Sequence, residues 1–193
     1  MGEHGHAAPP EGVEPVDQLL REGSTNYLDA LYALHRFRRE VIDAATEVWQ
    51  AEAPELALQI GAEAGPAERY CNPDGVNSEC DGNWAWVTCK SWFAAPLNAF
   101  CHLGLCFERE QDGKHVACTV RFLVEAVNLA RFEVLNNIFQ NTNHFWMDRD
   151  SRECGFYWPV ENIDHLTRAN LVEQFNGMMD FVIGLPEWHN LPH

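Results

Sequence analysis

Basic residues are scarce in this chain: 13 lysines and arginines stand against 29 aspartates and glutamates, a formal net charge of −16. A field of that sign repels phosphate backbones and anionic lipid surfaces, so neither nucleic acid nor a membrane is an expected partner. The one dense basic cluster, "HRFRRE" with Arg36, Arg38 and Arg39, lies in a helical pattern and reads as a solvated helix face. No uninterrupted apolar run of about 18 residues occurs, which excludes a membrane-spanning helix. The N-terminal stretch "MGEHGHAAPPEGVEP" lacks the basic and apolar regions of a secretory signal and reads as a disordered tail. Catalytic signatures are missing as well. There is no GxGxxG opening a helix after a strand, no GxxxxGK followed by Ser or Thr, no GxSxG and no HExxH.

What is present suffices for a packed protein, since 46% of the residues are hydrophobic. Seven cysteines in a chain with no export signal point to the reducing cytoplasm, with free thiols used as small core residues. Cys71, Cys80 and Cys89 are spaced by nine, unlike the close pairs of structural zinc sites, so no metal and no cofactor is expected.

Helical and strand periods divide the chain. Residues 1–23 read as the tail and 24–83 as a helical segment followed by a loop. The stripe Tyr27, Ala30, Leu34, Phe37, Val41, Ala44 and Val48 alternates spacings of three and four. Ser24, Thr25 or Asn26 would cap this helix, and Pro54 would end it or open a second short helix closed by Gly61 or Gly65. Residues 65–83, rich in Gly, Pro, Asn and Asp, read as a loop.

From Trp84 the period is two. "WAWVTCKSWF" puts Ala85, Val87, Cys89 and Phe93 on one face and Trp84, Trp86, Thr88, Lys90 and Trp92 on the other. Asp112-Gly113 marks a tight hairpin turn and sets a register. Phe107 then faces Cys118, Leu105 faces Val120, Leu103 faces Phe122 and Cys101 faces Val124, all on one apolar face. His102, Gly104 and Cys106 fall on the opposite face with Leu123, Arg121 and Thr119. "CHLGLC" is therefore a strand whose two cysteines point apart, and a one-residue slip would destroy the sorting.

A helix follows in "VNLARFEVLNNIFQNTN", with Leu129, Phe132, Leu135, Ile138 and Phe139 as its buried side. A second hairpin across "RDSRE" pairs Phe145 with Trp158 and Met147 with Phe156. The last helix, over residues 164–184, buries Leu171, Phe175, Met178 and Val182; Asp164 or Thr167 caps it and Gly184 ends it. Residues 186–193 read as an extended tail. The expected fold is α+β: an antiparallel five-stranded sheet in α-βββ-α-ββ-α order, packed against helices, with its domain over 84–185.

One sheet face is then left over, carrying Trp84, Trp86, Trp92, His102, Trp146 and Tyr157. Such rings are enriched at the desolvated centres of interfaces, so this is the candidate partner-binding surface. The other arrangement lays the long N-terminal helix across that face.

Enzyme chemistry finds little support. Asp148/Asp150 and Glu108/Glu110 read as charged hairpin ends, and "EREQDGK" resembles a nuclease carboxylate–lysine set only faintly. Cys106 and His102 share a face, but about 13 Å of strand separates them. The chain reads as non-enzymatic.

The stretch "ARFEVLNNIFQNTNHFWMDRDSRECGFYWPVENIDHLTRANLVEQFNGMMDFV" has an asparagine-bearing helix end, a strand ending in Asp, a hairpin and a closing amphipathic helix. In element order, Trp84 to Leu185 resembles the fold of type III secretion chaperones and the bacterial YbjN-like family. The resemblance implies a small acidic bacterial protein that binds a protein partner as a chaperone, adaptor or regulator, often as a homodimer. A second reading from charge alone is an acidic inhibitor or immunity protein, mimicking nucleic acid to block a basic site.

Overall fold

The computed structural model describes residues 16–71, 84–109, 116–160 and 166–192. Its elements are α1 (Val16–Ile60), β1 (Glu68–Cys71), β2 (Trp84–Phe93), β3 (Ala99–Arg109), β4 (Val116–Ala126), α2 (Leu129–Phe139), β5 (Phe145–Asp148), β6 (Glu153–Pro159), α3 (Arg168–Ile183) and a short 3₁₀ turn (Pro186–Asn190). The chain divides at Phe37 into two units, so α1 contributes its first part to one and its remainder to the other.

The fold is α+β, with an antiparallel sheet of six strands in the order β1-β2-β3-β4-β6-β5. The sixth strand is β1, which falls in the segment read from sequence as loop. Glu68 pairs with Lys90 and Cys71 with Val87 at the edge of the sheet. Four residues carry too little periodicity to be recognised, and their apolar content is low because an edge strand is half solvated.

The β3–β4 register is the one that the alternation predicts: Cys101 faces Val124, Leu103 faces Phe122, Leu105 faces Val120 and Phe107 faces Cys118. The Asp112-Gly113 turn itself lies outside the described residues, as does the Asp164 cap. The β5–β6 hairpin differs by two residues from the expected pairing. Phe145 faces Phe156, and Asp148 faces Glu153 across a four-residue turn. Asp148 Oδ1 accepts from the Asp150 N–H at 3.0 Å, and Arg152 takes a left-handed φ of 61°, so the turn closes earlier than "RDSRE" indicates. An even shift keeps every side chain on its face.

One face of the sheet holds the core. Val87, Cys89, Phe93, Cys101, Leu103, Leu105, Val120, Phe122, Cys154 and Phe156 are all buried there. Trp49 of α1 stacks on Phe122 with ring centroids 6.3 Å apart and meets Phe93 edge-on at 6.1 Å. Its indole N–H donates to Ser91 Oγ at 2.8 Å, which keys the helix to β2. α2 and α3 join on the same face, where Phe139 and Phe181 each meet Phe156 edge-on. The Arg38–Ile60 part of α1 is therefore on the core side rather than across the tryptophan face.

Several helix limits depart from the periodic reading. α1 begins at Val16, ahead of Ser24, and runs through Pro54 to Ile60. Pro54 is exposed, and burial of Ala53, Leu56, Ala57 and Ile60 around it offsets the hydrogen bond that a proline cannot make. Gly61, at φ 71°, closes the helix: its N–H reaches the Leu58 carbonyl and the Ala62 N–H reaches that of Ala57. The apolar stripe of α1 splits. Val41, Ala44 and Val48 are buried, whereas Tyr27 and Leu34 are exposed.

In α2 the buried residues are Phe132, Leu135 and Phe139, while Leu129 is exposed and Ile138 half-buried. α3 buries all four expected residues, and Thr167 caps it by accepting from the Asn170 N–H. The last residues are not extended: Trp188 folds back, buried against Phe139 at 4.8 Å, with its indole N–H on the Val182 carbonyl.

Trp49→Ala should cost about 3–5 kcal/mol in chemical denaturation, because it empties the contact between α1 and two strands. Leu58→Ala, on the exposed side of the same helix, should stay within about 0.5 kcal/mol.

Candidate interaction face of the sheet

Opposite the core the side chains form a grid set by the strand pairing. One row runs Thr88, Gly104, Arg121, Tyr157, and the next runs Lys90, His102, Leu123, Gly155, Trp146. On one side of these lies Trp86, Cys106, Thr119, Pro159. On the other lies Trp92, Phe100, Glu125, Glu153, Asp148. The Arg38–Ile60 part of α1, α2 and α3 meet the sheet through its other face.

Two glycines shape this surface. A Cβ on Gly104 would run into the Val87 carbonyl oxygen and the Thr88 Cα, and one on Gly155 would run into the Phe122 carbonyl oxygen and Leu123. The neighbouring backbones therefore crowd in where a side chain is missing. The Arg121 guanidinium lies over the Trp86 ring at 5.4 Å and over the Trp146 ring at 5.1 Å. Arg121 Nε also donates to Thr119 Oγ1 at 2.9 Å. Only 8% of Arg121 is exposed, and at such burial the cation–ring attraction is stronger than in water.

The six residues predicted from sequence divide accordingly. Trp86, Trp92, Trp146 and Tyr157 are half-buried on this face. Trp92 packs edge-on to Phe100 at 5.1 Å, and Tyr157 stands edge-on to His144 at 6.3 Å. His102 is on the face but 5% exposed, donating from Nε2 to Glu125 Oε2 at 3.3 Å. Trp84 opens β2 opposite Glu108, and its side chain lies outside the described atoms. Arg121 was the residue that sequence reasoning passed over. Its signal was a lone cation within the apolar run of β4, paired by register with Gly104.

The acidic row is electrostatically uneven. The hydrogen bond from His102 holds the Glu125 carboxyl below the ordinary glutamate range, against the opposing effect of its burial. Burial pushes Glu153 upward, and the charges of Glu125 and Asp148 add to this. Ser151 Oγ sits between Asp148 Oδ2 at 2.9 Å and Glu153 Oε2 at 3.2 Å. At the other end Lys90 Nζ lies 4.7 Å over the Phe100 ring.

Burial raises the thiol pKa values of Cys89 and Cys101, and takes those of Cys118 and Cys154 to about 12, so they stay protonated and weakly nucleophilic at neutral pH. Among the described residues no group of three or more His, Cys, Asp or Glu could hold a metal ion. No helix among them is long and apolar enough to cross a membrane.

Arg121→Ala should destabilise the fold by about 1–3 kcal/mol and shift tryptophan fluorescence, since both indoles lose the cation between them. The two glutamates should respond to pH in opposite senses. The contribution of Glu125, whose folded pKa is depressed, is present above its unfolded value of 4.5 and is lost as pH falls through the folded value. Glu153, whose folded pKa is raised, costs stability above that folded value, a cost that disappears as pH falls below 4.5. Glu125→Gln should thus lower the melting temperature at pH 7 and Glu153→Gln should raise it, with both differences shrinking by pH 4.

No family model, no curated protein and no solved structure matches this chain.

Proposed function

We propose that the chain is a non-enzymatic binding module that docks a protein partner on the sheet face opposite its helices. The observation that carries this reading is the set of half-buried rings on that face, Trp86 and Trp146 against Arg121, with Tyr157 paired to Arg121 and Trp92 packed on Phe100. Aromatic side chains and arginine supply the buried anchors of protein interfaces, because they bury much area for few lost rotamers. The adjacent Glu125, Glu153 and Asp148 and the net charge of −16 favour a basic segment of the partner. The secretion-chaperone resemblance leads to the same class, a cytoplasmic chaperone, adaptor or regulator. A cofactor has no role in this reading, and neither nucleic acid nor a membrane is the ligand.

The second reading, an acidic inhibitor of a basic site, is favoured by the charge alone and predicts a different salt response. Trp92→Ser with Trp146→Ser, in a protein that still melts cooperatively, should abolish recovery of the partner from cells of the native host. Unchanged recovery would remove the face from the interaction. A complex held by the rings should lose little affinity between low and high salt, whereas charge mimicry would weaken steeply.

A further inference from the structure

Between the last turns of α1 and the chain that leads from Gly61 into β1 lies a cavity of about 550 Å³. Ala53, Pro54 and Ala57 line it from the helix, and Ala62 and Ala64 line it from the connection. Its most deeply buried lining residues are Trp49 and Ser91, joined by the indole hydrogen bond of 2.8 Å. Both walls are held by backbone hydrogen bonds. The Ala62 N–H donates to the Ala57 carbonyl at 3.0 Å, the Gly65 N–H to the Trp92 carbonyl at 2.6 Å, and the Ala94 N–H to the Glu63 carbonyl at 2.9 Å. A Cβ on Gly65 would come within 3.3 Å of that Trp92 oxygen, so the connection runs close along β2. Alanine at four of the five wall positions leaves the volume open, where longer side chains would fill it.

Size and charge together identify the occupant. A volume of this order accepts a whole small molecule. The polar groups around the base already answer one another, since Ser91 Oγ receives the indole N–H and donates to the Pro66 carbonyl at 3.2 Å. What remains for an occupant is apolar surface, the Gln50 amide and one charge, the exposed carboxylate of Glu63. Glu63 forms no ion pair among the described residues. Arg69, the cation nearest to it in sequence, is engaged by Asp43 at 2.8 Å. The net charge of −16 adds a field of the same sign. We propose that this cavity binds a small organic cation, an apolar ring or chain ending in an ammonium group whose charge meets Glu63. Ser91 pairs with Cys101 and belongs to the core face of the sheet, so the cavity is separate from the aromatic face. Its filling therefore does not depend on partner docking.

Calorimetric titration of the full chain with three probes tests it. Tryptamine, neutral tryptophol and anionic indolepropionate share a ring and differ in the charge at the end of the chain. Tryptamine should saturate with a dissociation constant of about 0.1–1 mM and raise the melting temperature. It should bind several-fold more tightly than the other two, and Glu63→Gln should level the three, a modest ratio because the carboxylate is exposed. Ala57→Phe and Ala62→Phe, which fill the cavity from opposite walls, should each remove tryptamine binding in a protein that still melts cooperatively. Ala62 is half-buried, so its variant keeps the test open where Ala57→Phe fails to fold. An absence of saturable heat with tryptamine at several millimolar overturns the site. Indolepropionate binding as tightly as tryptamine overturns the cationic class, and full affinity in a folded filled variant places the ligand outside the cavity.

Discussion

The contact of Trp49 with Phe93 and Phe122 is the constraint from which the rest of the molecule follows. An antiparallel sheet has two faces and a helix has one apolar stripe, so the side on which the stripe lands decides what the other side can be. With Trp49 seated on the core face and keyed to Ser91, the inward residues of β2, β3, β4 and β6 have their cover. The outward residues make lateral contacts, with Arg121 under two indoles and His102 on Glu125.

The same face buries polar groups. Thr88, His102 and Arg121 are nearly as buried as the core, and beside them Gly104 and Gly155 leave no room for a Cβ against the neighbouring backbones. An arginine so placed needs compensation, which ring faces and Thr119 provide. The acidic row beside it is not compensated in the same way. Glu153 is held above its usual range by burial and by neighbouring carboxylates, a local excess of negative charge that a basic partner segment would relieve.

The two halves of α1 show how much environment decides. Val41, Ala44 and Val48 continue the stripe begun by Tyr27, Ala30 and Leu34, yet the former are buried and the latter are exposed. Nothing in the spacing separates them. Pro54 teaches the converse, since a residue that normally stops a helix is carried through when the turns on either side bury enough apolar surface.

From the sequence alone came the α+β class, the position of β2, the two-sided sorting of β2, β3 and β4, and the register that places Cys101 and Cys106 on opposite faces. Side-chain alternation has a period of two, and a slip of one residue would turn every apolar group outward, so these features are encoded locally. Tertiary structure alone decided the rest: the edge strand β1, the length of α1, the two-residue shift of β5 on β6, the fold-back of Trp188 and the position of Arg121 between Trp86 and Trp146. Each of these depends on groups far apart in the chain meeting one another. An edge strand is defined by its neighbour, a terminal tryptophan by the pocket that receives it, and a buried arginine by the rings that surround it. No local pattern specifies such meetings, because the free energy that selects them exists only once the sheet is assembled.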